Sequence, residues 1–295
     1  MLPDVPQEVK KIAYLGTPEV AVPPLRALHD LGLEIPIVIT GVDKRRGRGS
    51  KVTPSPVKVE SEKIGIPVAH DLTVLSEVDV DLGVVVAFGQ IIPSHILANL
   101  PLVNLHFSLL PKWRGAAPVE RAILEGDEFT GVCVMKIETT LDTGDIYRKE
   151  VIPLSSEASL DEVRNELCGK GIELLIDCFN VGFGVPRPQI GDAIYASKIK
   201  SEEHQIQWTQ SASQIHRVIR LGNAWTLLDG KRLRILEAGF DDLGDQEPGE
   251  IKGVVVGTGK GSISLITVKP EGRKELPARD WINGLRLGAE ARLGQ

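Results

Sequence analysis

The segment VNLHFSLLPKWRGAAP, residues 103–118, begins with the pattern of a β-strand and ends with that of a loop, and the rest of the chain can be placed around it. Side chains alternate between the two faces of a strand, so Asn104 and His106 point the same way. The residues between and beside them are apolar and suit packing against helices. Because Pro111 and the glycine and proline after it end the strand, the pair is predicted near the strand's C-terminal end, where open α/β sheets bind ligands.

This Asn–His pair is suited to carbonyl chemistry. The amide of Asn104 can donate a hydrogen bond to a developing oxyanion, and the imidazole of His106 can move a proton. A single histidine near a strand end more often has a structural role, so the pair alone leaves both interpretations open. The acidic turn LDTGD at residues 141–145 favours the catalytic one, and it lacks the alternating oxygen ligands that a calcium loop needs.

Composition limits the class of protein. The 295 residues are 42% hydrophobic and 25% charged, with a formal net charge of −6, so the chain can bury a sizeable core but any polyanion site must be a local patch. Three cysteines without C-x-x-C spacing argue against a disulfide framework or a zinc site and fit a reducing compartment. No apolar run reaches the length of a membrane span and the first ten residues do not resemble a signal peptide, so we expect a cytoplasmic protein.

The order of elements predicts two domains. Strands alternating with helices predict a doubly wound, mostly parallel α/β sheet, which we place at residues 1–185. A linker is predicted at residues 186–205, and short strands separated by turns predict a small β-barrel domain at residues 206–295. The first helix is predicted from residue 18 to residue 31, with Thr17 as its N-cap. The turn before it lacks a G-x-G-x-x-G motif, which argues against a dinucleotide site.

Residues 41–51, GVDKRRGRGSK, form a basic, glycine-rich stretch with no apolar period. The stretch is compatible with a solvated surface loop. It is also compatible with an arm that grips a nucleic-acid backbone, because Lys and Arg neutralise phosphates. The basic side chains available for that role are Lys44, Arg45, Arg46, Arg48 and Lys51.

Several motifs resemble those of the methionyl-tRNA formyltransferases, a family of 10-formyltetrahydrofolate-dependent enzymes. They are Asn104-x-His106-x-Ser108-Leu109-Leu110-Pro111, the WRGAAP that follows at residues 113–118, and the LDTGD turn. The resemblance covers nearly the whole chain and is strongest from residue 103 to residue 145. It implies a formyltransferase-type, Rossmann-like α/β domain followed by an OB-like C-terminal domain that contacts tRNA. The chain departs from the family pattern at Val42, Arg45 and Ala224, where the family usually has proline.

The resemblance also implies an activity and a set of site residues. The formyl group of 10-formyltetrahydrofolate would be transferred to the α-amino group of initiator methionyl-tRNA. Asn104, His106 and Asp142 would be catalytic, with Asp142 holding the ring of His106. The residues implied in folate binding are Ser108, Leu109, Leu110, Pro111, Phe88, Ile91 and Ile92. The basic loop would reach the acceptor end of the tRNA, with Arg48 matching the family's arginine there. No metal is expected, because a deprotonated amine is already a competent nucleophile, and we expect a monomer.

Other activities remain open on the sequence. A formyltransferase acting on a nucleotide-sugar amine shares the Asn-x-His motif and the acidic loop, although the long basic loop favours tRNA. A formyltetrahydrofolate hydrolase would use water as the acceptor. A non-catalytic RNA-binding module would depend on the C-terminal barrel, which shows no row of aromatic residues for base stacking. Lys112 and Arg114 could hold the folate glutamate or the tRNA 3′ end, and the sequence does not decide between these roles.

Overall fold

The computed structural model describes residues 2–45, 52–285 and 291–294. In chain order the strands are β1 (Lys11–Gly16), β2 (Glu34–Ile39), β3 (Lys44–Arg45), β4 (Val52–Thr53), β5 (Val68–Ala69), β6 (Leu82–Val86), β7 (Leu102–His106), β8 (Arg114–Gly115), β9 (Phe129–Lys136), β10 (Ile146–Pro153), β11 (Tyr195–Ala196), β12 (Trp225–Leu228), β13 (Lys231–Asp241), β14 (Ile251–Lys252), β15 (Val255–Gly257), β16 (Ser262–Pro270) and β17 (Leu276–Pro277). The α-helices are α1 (Val22–Asp30), α2 (Pro56–Lys63), α3 (Ser94–Leu97), α4 (Pro118–Glu125), α5 (Leu160–Val181), α6 (Ala212–Arg220) and α7 (Ala278–Asn283).

The chain forms two compact units. The first contains Met1–Pro118, Phe129–Pro153 and Arg164–Ser197, and the second contains Val119–Glu128, Leu154–Val163 and Lys198–Gln295. None of the helices in the described ranges is both long and apolar enough to cross a bilayer.

The first unit is built on a seven-stranded sheet in the order β10-β9-β7-β6-β1-β2-β5. The strands from β7 to β5 run parallel, whereas β9 is antiparallel to β7 and β10 is antiparallel to β9. Every residue of β6 is buried, as is all of β1 after Lys11, which is typical of parallel strands covered on both faces. The predicted mostly parallel α/β domain is confirmed.

The start of the first helix differs from the prediction. A 3₁₀ turn, Glu19–Ala21, precedes α1, which begins at Val22 with prolines in its first turn. Proline suits these positions because the first backbone N–H groups of a helix have no partner within the helix. Thr17 does not cap the helix, and its hydroxyl instead accepts a hydrogen bond of 3.1 Å from the Gly41 amide. The expected N-cap at Thr17 was therefore wrong.

The second unit contains an antiparallel sheet in the order β12-β13-β16-β15-β14, with β17 paired to β16. Helix α6 begins with a capping box in which the side chains of Ser211 and Gln214 bind each other's backbone amides. In the core, the indole N–H of Trp208 donates to the hydroxyl of buried Thr226 at 2.9 Å. The predicted C-terminal β domain is confirmed as an antiparallel β-sheet domain.

Candidate active site

Strand β7 carries Asn104 and His106 inside the large sheet, between β6 and β9. His106 is the last residue of the strand, and both side chains lie on one face because they are two positions apart. His106 is buried, whereas Asn104 is partly exposed. Across the described part of the chain the side-chain amide of Asn104 has no hydrogen-bond partner, so its N–H groups are available to a ligand oxygen.

The His106 ring is held by the loop that follows its strand. Its Nε2 atom lies 3.0 Å from the backbone carbonyl oxygen of Trp113. A carbonyl only accepts hydrogen bonds, so Nε2 carries a proton and donates it. The Trp113 backbone has a φ of +65°, and the Ser108 hydroxyl donates to the Lys112 carbonyl at 2.6 Å, which closes the loop. With Nε2 occupied, Nδ1 is the nitrogen that can take up or release a proton.

The carboxylate of Asp142 faces that second nitrogen. Asp142 Oδ2 lies 3.8 Å from His106 Nδ1, and only 11% of the aspartate side chain is exposed. The same oxygen accepts a hydrogen bond of 2.8 Å from the Gly115 backbone amide. The structure thus brings His106 and Asp142 together, although one lies at the end of strand β7 and the other in the turn between β9 and β10. At 3.8 Å the two groups attract one another when the imidazole is protonated, and a small approach would form a direct hydrogen bond.

Glycine is required at the position that donates to Asp142. Gly115 has a φ of +116°, which L-residues with a side chain rarely adopt, and an added Cβ would lie 2.9 Å from the Ala196 carbonyl oxygen. The close approach arises because β8 pairs with β11 at this point. The glycine of the WRGAAP motif therefore allows the backbone to pass between β11 and the Asp142 carboxylate.

Gln189 also belongs to this region, and it was not predicted from the sequence. The guanidinium of Arg114, whose role the sequence left open, donates to Gln189 Oε1 from Nε at 3.0 Å and from Nη2 at 2.6 Å. Gln189 lies in the predicted linker, 47 residues beyond Asp142. No local motif marks such a glutamine, because its partners are brought to it only by the fold.

The residues predicted to bind folate occupy different environments. Ser108 and Leu110 are buried, and Leu110 packs with Cys133 and Met135. Phe88 belongs to a core cluster of the large sheet, and Ile92 packs against that cluster. The remaining three predicted residues differ in exposure. Ile91 is 92% exposed, Leu109 is half-buried and Pro111 is buried.

The basic stretch is partly described. Lys44 and Arg45 form β3, which pairs with β4 in an antiparallel hairpin. Lys44 is exposed, and at the base of the hairpin Asp43 forms an ion pair of 2.9 Å with Lys58. The predicted tRNA-binding residues Arg46, Arg48 and Lys51, and the side chain of Arg45, lie outside the described residues.

None of the three cysteines is suited to act as a thiolate nucleophile. Burial raises the pKa of the thiols of Cys133, Cys168 and Cys178 to about 11, so all three are protonated near neutral pH. Among the described residues, no three His, Cys, Asp or Glu side chains are grouped closely enough to hold a metal ion.

Comparison with known proteins adds independent findings. Residues 10–178 match the family profile described as "Formyl transferase", and residues 198–286 match "Formyl transferase, C-terminal domain". The methionyl-tRNA formyltransferase of Acidothermus cellulolyticus is 37% identical over 322 aligned positions, covering 96% of this chain and 99% of that protein. The methionyl-tRNA formyltransferase of Thermus thermophilus is also 37% identical, covering 97% and 99%.

A solved structure shows the same fold at low sequence identity. An N-formyltransferase from Helicobacter canadensis, in complex with folinic acid and dTDP-3-aminofucose, superimposes with a TM-score of 0.67 at 18% identity. The match covers 87% of this chain and 99% of that one.

Proposed function

The chain belongs to the formyl transferase family, and from that premise we propose that it transfers the formyl group of 10-formyltetrahydrofolate to the α-amino group of methionine on initiator methionyl-tRNA. The nearly full-length similarity to methionyl-tRNA formyltransferases supports this acceptor. The observation that carries the chemistry is the His106 ring, held between the Trp113 carbonyl and the Asp142 carboxylate beside Asn104.

The reaction begins when the neutral amine attacks the formyl carbon. A bond forms between the amine nitrogen and that carbon, and the formyl oxygen becomes an oxyanion. The Asn104 amide, on the same strand face as His106, donates a hydrogen bond to this oxygen. A preorganised donor of this kind typically contributes ~3 kcal/mol, or about a hundredfold in rate.

Proton movement then completes the transfer. The attacking amine loses a proton to His106 at Nδ1, because Nε2 already donates to the Trp113 carbonyl. The Asp142 carboxylate, 3.8 Å from Nδ1, stabilises the imidazolium that forms. The proton passes on to the folate N10 as the bond from the formyl carbon to that nitrogen breaks. The products are formylmethionyl-tRNA and tetrahydrofolate.

Two regions complete the assignment of substrates. The loop from Ser108 to Pro111, together with Phe88, Ile91 and Ile92, is proposed to form the folate site. The basic residues of 44–51 are proposed to hold phosphates of the tRNA acceptor end, because loop cations position a nucleic-acid backbone without reading its sequence.

The test is a comparison of acceptors with purified protein and 10-formyltetrahydrofolate. Methionyl-tRNA is expected to be formylated, whereas free methionine and a dTDP-linked amino sugar are not. Release of formate without an acceptor is expected to be slow. The proposal is overturned if methionyl-tRNA stays unmodified, and in that case formylation of the amino sugar or rapid release of formate would identify the rival activity.

A further inference from the structure

The carboxamide of Gln189 makes four hydrogen bonds to the two loops that build the candidate active site. Its Oε1 atom accepts from Nε and Nη2 of Arg114, at 3.0 and 2.6 Å. Its Nε2 atom donates to the backbone carbonyls of Asp142 and Gly144, both at 2.8 Å. A carboxamide offers two donors and one oxygen with two lone pairs, so every hydrogen-bonding position of the side chain is used. The orientation is fixed because guanidinium only donates and carbonyls only accept.

The turn that Gln189 binds has a backbone that needs support. Asp142 has a φ of +52°, in the left-handed region that residues with a side chain adopt less often than glycine, although aspartate enters it more readily than most. An added Cβ at Gly144 would lie only 1.9 Å from the Lys136 carbonyl oxygen, so the turn passes very close to the end of β9. The two hydrogen bonds from Gln189 bind two carbonyls of this turn and stabilise its conformation.

The Oε1 atom of Gln189 holds the segment that contains Arg114 and Gly115. Arg114 immediately precedes Gly115, whose amide donates to the Asp142 carboxylate at 2.8 Å. The segment that carries Gln189 is itself anchored on both sides. Arg187 exchanges backbone hydrogen bonds with Ile146, and β11 pairs with β8.

We propose that Gln189 is a positioning residue for the formyl transfer. It joins the turn that carries the Asp142 carboxylate to the loop that carries the Gly115 amide, and so keeps the carboxylate beside His106 Nδ1. This inference rests on the proposed function for its catalytic readout. Gln189 is half-buried, and its four described side-chain hydrogen bonds all go to Arg114, Asp142 and Gly144, so its replacement is expected to change catalysis more than stability.

The test uses Gln189→Glu in the full chain. Glutamate keeps the size and an oxygen for Arg114 but loses both donors to the carbonyls of Asp142 and Gly144. We expect kcat to fall at least tenfold while KM for each substrate stays within threefold. Gln189→Met, which removes all four hydrogen bonds without adding charge, is expected to show the same split and replaces the Glu variant if that one fails to fold. Gln7→Glu, at an exposed position, is the control for the added charge and should leave kcat unchanged.

Two further measurements separate positioning from a general structural effect. In an Asp142→Ala background, Gln189→Glu should lower kcat by less than twofold, because the group that it positions is already absent. The NMR signal of the Gly115 amide should shift in Gln189→Glu and stay in place in Gln7→Glu, since its bond to Asp142 is weakened only in the former.

The outcomes distinguish the two proposals. The positioning role is overturned if kcat of Gln189→Glu stays within twofold of the parent, or if its loss is undiminished in the Asp142→Ala background. Failure of the parent protein to formylate methionyl-tRNA would instead overturn the proposed function. The Gly115 amide signal needs no substrate, so an unchanged signal in Gln189→Glu overturns the positioning role even in that case.

Discussion

A single backbone carbonyl decides which nitrogen of His106 is available for chemistry. Because Trp113 accepts from Nε2, only Nδ1 faces the Asp142 carboxylate. The carboxylate is in turn held by the Gly115 amide, two residues beyond the carbonyl that holds the ring. Residues 113–115 therefore orient both members of the pair.

Removal of any one of the three proposed catalytic side chains should mainly affect turnover. We expect Asn104→Ala, His106→Ala and Asp142→Ala each to lower kcat at least about a hundredfold, the size typical of losing a preorganised donor or proton carrier. Steady-state kinetics with methionyl-tRNA measures the effect, and circular dichroism checks that each variant is folded. Near-normal kcat in two of the three variants would show that the site is misplaced.

The backbone at Gly115 should not tolerate a side chain. Gly115→Ala combines a φ of +116° with a Cβ 2.9 Å from the Ala196 carbonyl oxygen, so we expect a loss of about 2 kcal/mol in unfolding free energy and a large loss of kcat. Gly32→Ala is the control, because Gly32 also has positive φ but open space around it. Equal effects of the two substitutions in denaturant unfolding would contradict the role of the close contact.

The limits of prediction at this scale have a physical cause. Asn104, His106 and Asp142 could be selected from the sequence because their side-chain types suit acyl transfer and they lie in recognisable motifs. The Trp113 carbonyl and Gln189 could not, since a backbone group has no sequence signal and a glutamine 47 residues away meets Asp142 only after folding.

The Asn104–His106 pair and the start of the basic stretch lie on different sheets of the first unit. β7 lies in the interior of the large sheet, which suits groups that must be held in register. Strands β3 and β4 belong to the same unit but pair outside the large sheet, and next to β3 Asp43 forms an ion pair with Lys58. The sheet was predictable from its apolar strands. The first helix was predicted to begin at residue 18 but begins at Val22, because the adjacent prolines Pro23 and Pro24 are tolerated only in the first turn of a helix.

The basic stretch should contribute to tRNA affinity through charge. Arg48→Ala is expected to weaken tRNA binding and to lower the slope of log Kd against log salt by about one, because one phosphate contact is lost. Filter binding over a range of salt concentrations measures both quantities. Lys63→Ala removes the same charge from the exposed end of α2 and serves as the control. An unchanged affinity in Arg48→Ala would remove the stretch from tRNA recognition.

At the scale of the whole molecule, the ionisable groups that are buried in the first unit make its free energy of unfolding depend on pH in the alkaline range. Cys133, Cys168 and Cys178 are all in that unit and all have a thiol pKa raised to about 11 by burial. Burial also raises the pKa of Tyr14 well above its ordinary value and that of Tyr147 to about 12. Each group is held neutral by the fold, so it ionises more readily when the chain unfolds.

The sign of the effect follows from this difference. A thiol whose pKa is higher in the folded chain stabilises fully below its unfolded pKa of about 9, and the contribution is lost as the pH rises toward 11. We expect the unfolding free energy of the first unit to fall between pH 8 and pH 10, by about 1 kcal/mol for Cys133 and further for the other two thiols. Denaturant unfolding in the presence of a reductant measures the loss. The Cys168→Ala/Cys178→Ala variant should show a smaller drop, and equal stability of the parent at both pH values would contradict the argument.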